Sequence, residues 1–431
     1  MKKHNNIKGM KAFFILWFSQ SISTLGSSMT SFALILWVYQ QKGTATSITL
    51  LAFFTYLPSV LFCFAAGTFA DRWDKKKIML VSDIVAAMGT VFVFVFYNAG
   101  TLEIWYLYIV NLIISFMNAF QNPASNAAVS LLAPKEQYNR ASGMQSFSNS
   151  LTTILTPVLA GAVLAFGGLR TVLIIDLATF VFAFVMLSAF IHIPKVCAEV
   201  HRDGFWQSFG GGLRFLKQNK ALLKIIAFFA LINFFAYLTG YGILPALILA
   251  RSGGDNIIMG SVSSAVGIGT LAGSIAVSLI KPPKSRTKVI FLACGISFLL
   301  CDIPWGISMS PVVWLLAGVI GNFPIPFLSA NLVTIMRVKV PMAMQGRVFA
   351  ARDTLQFFTI PLGLLLSGTL ADHVFEPLMA GTSLLRNVLS FFVGSGKGSG
   401  MAVMFLMTGV LGVIASFTAL KSKAFRSLDE D

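Results

Sequence analysis

The residues of this chain that could do chemistry are uncharged polar side chains set at helical intervals inside apolar runs. Gln20, Thr24, Ser27 and Ser31 follow at steps of four, three and four. Asn111, Ser115, Asn118 and Asn122 repeat that spacing, and so do Gln145, Asn149, Thr152 and Thr156. Such steps put each set on one face of a helix. Further along come Asn233, Tyr237 and Tyr241, then Asn322 and Ser329, then Gln356. Polarity inside an apolar run is costly unless it meets another helix or a wet cavity. For a lone Ser or Thr, a helix–helix hydrogen bond of about 0.6 kcal/mol is explanation enough. Four amides and hydroxyls on one face favour cavity lining. The chemistry this allows is non-covalent: apolar area around a bulky amphipathic ligand, with a few adaptable hydrogen bonds.

The acids within or beside the apolar runs are Asp83, Asp176, Asp302 and Asp353. A carboxylate withdrawn from water can exchange a proton. Asp353 follows Arg352 and lies a turn before Gln356, which offers it both an ionic partner and a cavity. Asp176 and Asp302 are expected a turn or two inside the opposite face, where their side chains could reach the interface. Asp353, Asp176 and Asp302 are therefore the proton-coupling candidates. Nothing supports covalent catalysis: there is no paired-carboxylate, His-cluster or Ser-His-Asp arrangement. Gly-x-x-x-x-Gly-Lys-Ser/Thr does not occur, so nucleotide hydrolysis is excluded. The four cysteines, Cys63, Cys197, Cys294 and Cys301, form no Cys-x-x-Cys pair. Neither a metal site nor a cofactor is expected, and the chain is not read as an enzyme.

The elements that must position these residues are membrane helices. Of 431 residues, 56% are hydrophobic and 11% charged, against about 25% charged in a soluble domain. Runs long enough to cross a hydrocarbon core of about 30 Å recur throughout. Spans are predicted near 12–39, 47–70, 78–97, 103–131, 142–166 and 170–193, then near 221–249, 257–280, 288–308, 311–336, 347–371 and 400–420. The fold class is an all-α polytopic membrane protein with twelve transmembrane helices in two six-helix bundles. Residues 1–193 form the first bundle, 194–220 a cytosolic linker, and 221–431 the second bundle. The first run is read as a span and not as a removed leader. With the N-terminus inside, only Lys42, Arg170, Arg251, Arg386 and Lys397 of the 32 Lys and Arg lie outside. That asymmetry places both termini in the cytosol. It also accounts for the net charge of +16 without nucleic acid as a partner.

The halves look like repeats. Pro134 precedes Arg140 as Pro341 precedes Arg347, and Gly67-x-x-Ala70 is echoed by Gly273-x-x-Ala276. Residues 67–80 read Gly-Thr-Phe-Ala-Asp-Arg-Trp-Asp-Lys-Lys-Lys-Ile-Met-Leu. This resembles motif A of the major facilitator superfamily, roughly Gly-x-Leu-Ala-Asp-Arg-x-Gly-Arg-Lys. Gly67, Ala70, Asp71, Arg72, Lys75 and Lys76 match in type. Phe69 replaces Leu and Asp74 replaces Gly, and the Asp74 variant makes the loop look like the macrolide-efflux branch of the drug exporters. The resemblance implies two six-helix pseudo-repeats and a central cavity lined by spans 1, 4, 7 and 10. It implies a cytosolic gate of Gly67, Asp71, Arg72, Asp74, Lys75, Arg140 and Arg347. The polar residues read as substrate-cavity lining, on those spans and on spans 5 and 11, are Gln20, Thr24, Asn111, Ser115, Asn118, Asn122, Asn149, Asn233, Tyr237, Tyr241, Asn322, Ser329 and Gln356. Thr152 to Gly161 resembles a degraded antiporter motif, with Thr152, Thr156 and Ala160 where glycines stand, and tilts towards export. Many proton-linked members carry an Arg in span 4, and here Ile114 stands about at that place.

Two further segments are expected to fold as short helices. Phe205, Phe209, Leu213 and Leu216, with Arg214, Lys217 and Lys220 nearby, fit either an amphipathic helix on the inner leaflet or a plain linker helix. Leu378, Thr382, Leu385, Leu389 and Phe392 fit an interfacial helix in the outer loop 372–399. The reading is a monomeric secondary transporter of a bacterial cell membrane. It would exchange an amphipathic small molecule for protons, with lipids as its surroundings. A lipid or lysolipid flippase of the same fold is the alternative. A non-transporting receptor or scaffold is a further one, which a gate motif disfavours.

Overall fold

The computed structural model describes residues 9–134, 137–194, 205–281 and 283–429, apart from the side chains of 63–72, 139, 205–209, 343, 423 and 426. The described residues are helical, with no strand among them. An apolar medium demands this, because a helix satisfies its own backbone N–H and C=O groups. The first half holds α1 (Met10–Lys42), α2 (Ala45–Arg72), α3 (Lys75–Asn98), α4 (Ile104–Leu132) and α5 (Tyr138–Val185), with a π turn over Met186–Phe190. After α6 (Phe205–Gln218) come α7 (Lys220–Leu238), α8 (Leu244–Arg251), α9 (Asn256–Leu279), α10 (Arg286–Leu300) and α11 (Asp302–Ile307). The rest comprises α12 (Pro311–Asn322), α13 (Ile325–Lys339), α14 (Gln345–Phe357), α15 (Thr359–Leu370), α16 (Glu376–Ala380), α17 (Leu384–Val393) and α18 (Ser399–Lys421).

Eleven segments among the described residues are long and apolar enough to cross a membrane, against the twelve expected. One of them, Arg140–Phe190, runs for 51 residues. It is broken at Gly168, whose φ of 68° and ψ of 177° no helix contains; glycine adopts that backbone without a Cβ clash. At about 1.5 Å per residue the run exceeds twice the hydrocarbon thickness, so it has the length of two crossings. Large apolar side chains such as Met88, Val95, Phe166, Leu279 and Phe417 stand exposed, as lipid-facing residues must.

The chain packs as two compact units. One comprises residues 1–38 and 54–202, the other 39–53 and 203–431. The first has a core of Phe13, Leu16, Met79, Ala124, Ala128, Leu187 and Ile191. The second is built on Leu222, Ile225, Ile290, Phe291, Ile335, Met336, Val348 and Phe425. The α1–α2 hairpin tip, 39–53, clusters with the second unit, whereas the sequence reading assigns it to the first bundle. The Asp372 carboxylate accepts hydrogen bonds from the Ala45 and Thr46 amides at 3.0 and 2.7 Å, and Gln40 Nε2 donates to Asn256 Oδ1 at 3.2 Å. The linker helix α6 buries Leu216 and sets Gly212 against the Arg347 carbonyl and the Ala351 side chain of α14. That face rests on protein, which favours the plain linker helix over one lying on lipid.

Acids outside the spans' interiors serve helix ends. Asp74 caps α3 through the Lys76 and Lys77 amides, and Asp255 caps α9. Glu376 accepts from the Gly398 and Met401 amides at the start of α18. Asp429 takes the Ser285 hydroxyl, the Thr287 amide and the Thr287 hydroxyl at the start of α10. A carboxylate is favoured at each of these places by free amides and the helix dipole. At Asp429 partial burial works to raise the pKa, but the hydrogen bonds from Ser285 and Thr287 outweigh it, and the carboxyl titrates below its ordinary 3.8.

Candidate functional site

The polar faces of the first unit converge on one cavity of about 590 Å³. From α1 it takes Gln20, Thr24, Ser27, Ser28 and Ser31, and from α4 Asn118, Gln121 and Asn122. From α5 it takes Gln145, Ser148, Asn149, Thr152, Thr156 and Asp176, and from α3 Asp83 and Thr90. Trp17, Phe32, Ile35, Ile114 and Phe180 supply its apolar wall. Periodicity explains the convergence: steps of three and four keep successive groups within one helical face. The volume falls in the range of small-molecule sites.

Two carboxylates sit in this wall. Asp83 is 9% exposed, and its oxygens accept from Gln20 Nε2 at 3.3 Å and Gln121 Nε2 at 2.5 Å. That ties α3 to α1 and α4. Asp176 is 3% exposed and accepts from the Ser27 hydroxyl at 2.8 Å and the Thr90 hydroxyl at 2.9 Å. Gly26 lets α1 approach this point: a Cβ there would overlap Thr179 and crowd the Asp176 backbone. No Lys, Arg or His is among the described lining residues. The Thr156 hydroxyl, in the same wall, is buried and has no hydrogen-bond partner.

The α4 stripe divides. Asn118 and Asn122 open into the cavity, while Ser115 is buried and bonds the Thr55 carbonyl and the Ser59 hydroxyl of α2. Ser115 thus corrects the expectation of a single cavity-facing stripe: it shares the helical phase of Asn118, but its short hydroxyl is taken up by the neighbouring helix. Asn111 is half-buried and is not in the cavity wall. Asn322 is a second correction: it is 6% exposed and donates to the Gly318 carbonyl at 2.9 Å, with Cys301 Sγ at 3.5 Å. Its amide is held by its own helix and by Cys301, the residue that follows α10. In the same unit, Asn233 Nδ2 donates to the Gln356 carbonyl at 3.2 Å, and the Gln356 side-chain oxygen is buried without a partner. The rings of Tyr237 and Tyr241 stack 4.6 Å apart, and Ser329 is exposed.

The acids also differ from their expected places. Asp176 and Asp302 do not reach an interface. Asp302, 8% exposed, accepts from the Thr239 hydroxyl at 3.1 Å, and that hydroxyl also meets Thr408. Hydroxyls from neighbouring helices hold both acids inside their bundles. Asp353 pairs with Arg352 at 2.6 Å and is 36% exposed. Asp83 escaped the sequence reading as a cavity acid. The available signal was its phase: Asp83, Ala86, Ala87 and Thr90 form a small-residue face at steps of three, one and three.

Of the gate residues, Gly67, Asp71 and Arg72 lie in the last turns of α2, and their side chains are outside the described set. Asp74 begins α3 as its N-cap. Lys75 is buried, Arg140 exposed and Arg347 half-buried. Lys76 Nζ donates to the Ser188 and Ile191 carbonyls at 2.9 and 2.7 Å, where a helix C-terminus favours a cation. Cys294 and Cys301 are buried free thiols, and Cys63 and Cys197 lie outside the described side chains.

Helices of this length around an interior polar cavity define a polytopic membrane transporter. The chain belongs to the Major Facilitator Superfamily, whose family model matches residues 16–364. It is similar to macrolide efflux protein A of Streptococcus pyogenes, at 27% identity over 87% of this chain and 92% of that protein. It is also similar to the multidrug efflux pump Tap of Mycolicibacterium fortuitum, at 23% identity over 83% and 88%. Among solved structures it resembles a bacterial homologue of the lysosomal transporter Spinster, with a TM-score of 0.68 at 14% identity over 97% of both chains.

Proposed function

We propose that this protein is a secondary active exporter of a bulky amphipathic drug or natural product, exchanged for protons across a bacterial cell membrane. Its working form is a monomer of two six-helix bundles, 1–193 and 221–431, joined by 194–220, with both termini cytosolic. The observation that carries this reading is the cavity of about 590 Å³ with its mixed amide, hydroxyl and aromatic wall. That lining suits a large ligand held by area and adaptable hydrogen bonds. The relatives named for macrolide and multidrug efflux support export of such a compound.

Gln20, Thr24, Asn118, Asn122 and Asn149 contact the substrate in this account. Asn233, Tyr237, Tyr241, Ser329 and Gln356 are the candidate contacts on the second bundle's own polar positions. Gly67, Asp71, Arg72, Asp74, Lys75, Arg140 and Arg347 form the cytosolic gate. Asp176 leads the proton-coupling candidates, ahead of Asp302 and Asp353, because it alone of the three lies in the cavity wall. One proton moving inward across ~150 mV supplies ~3.5 kcal/mol, or ~2.5 decades of gradient for a neutral substrate.

The test is counterflow in proteoliposomes with a macrolide, a peptide antibiotic and a lysolipid. Uptake of labelled macrolide against its preloaded counterpart supports the exporter. Exchange of lysolipid alone would favour the flippase, which the exposed apolar face of α17 (Leu384, Leu385, Val388, Phe391, Phe392) also suits. No exchange of any compound would contradict transport.

A further inference from the structure

We propose that α17 is seated in the bilayer, with its exposed face buried among the lipids of the leaflet that meets the start of α18. This goes beyond the choice of exported compound and holds for either transport reading. α17 has ten residues; at about 1.5 Å each they reach half the thickness of a hydrocarbon core, so α17 cannot cross one. Leu384, Val388 and Phe391 follow at steps of four and three, with Leu385 and Phe392 beside them on the same face. All five are exposed, Leu384 at 82% and Phe391 at 84%. The side turned to protein carries Arg386, Leu389, Ser390 and Val393, which are half-buried or buried. A helix on the surface of a protein in water turns its apolar stripe inward. α17 turns both its rings and three of its aliphatic side chains outward, an arrangement that suits hydrocarbon outside.

The helix is held in that attitude from its base. The Ser383 hydroxyl caps its first turn by accepting from the Arg386 amide at 3.2 Å. Arg251, the last residue of α8, donates through Nη2 to the Val393 carbonyl at 2.6 Å. Its Nη1 donates to the Gly306 and Ser308 carbonyls at 3.0 and 2.7 Å. One guanidinium therefore ties the end of α17 to the end of α11, at carbonyls a helix C-terminus leaves free for a cation. Gly394 turns the chain with φ of 77°, and a Cβ there would overlap the Met309 methyl group. Met309 is itself exposed and leads into Val312, Leu316 and Ile320, an exposed row at steps of four along α12. The outward face of α17 thus adjoins a row that a span already gives to lipid, and that continuity identifies its occupant. Interfacial helices bury such a face at the boundary of headgroups and acyl chains.

Spin labels in proteoliposomes of phosphatidylethanolamine and phosphatidylglycerol test this, on the full chain with its native cysteines replaced by alanine. Collision rates with oxygen, which concentrates in lipid, and with a water-soluble nickel chelate give the depth of each label. Leu384→Cys, Val388→Cys and Phe391→Cys should lie roughly 5–10 Å inside the headgroup boundary, and Asn387→Cys, on the polar edge, should meet the chelate. Free access of the chelate to Leu384→Cys and Phe391→Cys would put the face in water and overturn the proposal. Labels shielded from both reagents would show that protein covers the face, a second copy or another chain, and would overturn it too. Wild type reconstituted with a phospholipid carrying a diazirine on its acyl chain gives a reading that needs no variant. Adducts should map to 384–392 as they do to Val312 and Leu316; adducts on α12 with none on α17 would contradict the seating. Macrolide counterflow by wild type reports on the exporter reading separately, since neither result requires the other.

Discussion

Asp83, Asp176, Asp302 and Asp353 are chemically alike and differ in what surrounds them. Asp353 has an arginine at 2.6 Å and is partly exposed, so its charge is compensated by a neighbour on its own helix. Asp176 has only hydroxyl partners and a place in the cavity wall, so its proton can come and go without breaking the site. Asp176→Asn is expected to lose proton-driven accumulation while keeping substrate exchange at equal pH. Asp353→Asn should stay within about fivefold of wild type in both assays, as partly exposed ion pairs contribute at most about 1 kcal/mol. Measuring both variants in one vesicle preparation decides between them. Accumulation lost in Asp353→Asn and kept in Asp176→Asn would reverse the assignment. Sequence made the polar faces of α1 and α5 legible, because cavity lining there follows helical phase without interruption. It misjudged Ser115 and Asn322 because spacing gives a face but not its neighbour. Asp83 was hidden because a lone acid beside a basic loop reads equally well as a surface charge.

At the scale of helices, membrane packing depends on how closely backbones approach. Gly269 and Gly273 lie one turn apart on α9, and an added Cβ at either would overlap the carbonyl oxygens of Val319 and Phe323 respectively. Small residues at this interval are the usual means of close helix approach in lipid. In sequence, Gly273 looked like a relic of the loop motif; in the fold it is a contact point. Gly273→Leu should cost about 1–3 kcal/mol by overpacking and lower the melting temperature of the detergent-solubilised protein by several degrees. An unchanged melting temperature would mean that α9 and α12 can separate at no cost. Helix ends carry the other prediction. The depressed pKa of Asp429 means its contribution is complete above the ordinary 3.8 and is lost as pH falls through the lower folded value. Amide exchange at 286–289 should therefore accelerate in acid beyond its intrinsic trend, and Asp429→Asn should show the faster rate already at neutral pH. Equal rates in variant and wild type at neutral pH would remove the cap. Helix existence was readable from hydropathy, whereas caps supplied in trans by Asp372, Glu376 and Asp429 were not, since they join residues far apart in sequence.

For the whole molecule, the central claim is that the polar cavity of the first unit is where substrate sits during export. Repeat-level features in the sequence, with charge asymmetry and the 67–80 loop, carried the family before any coordinates. The division of residues 39–53 into the second unit was not readable, because it depends on where helix ends dock and not on where helices begin. The claim makes Asn149 a substrate-facing residue on α5, exposed within the cavity wall. The most direct measurement is the rate at which Asn149→Cys reacts with a membrane-impermeant maleimide, with and without a saturating macrolide, in vesicles whose cytosolic face is accessible. The account predicts ready labelling that slows at least about fivefold when macrolide is bound, since an occupied cavity of this size leaves little room for reagent. Ready labelling that macrolide leaves unchanged would contradict it and move the substrate out of this cavity.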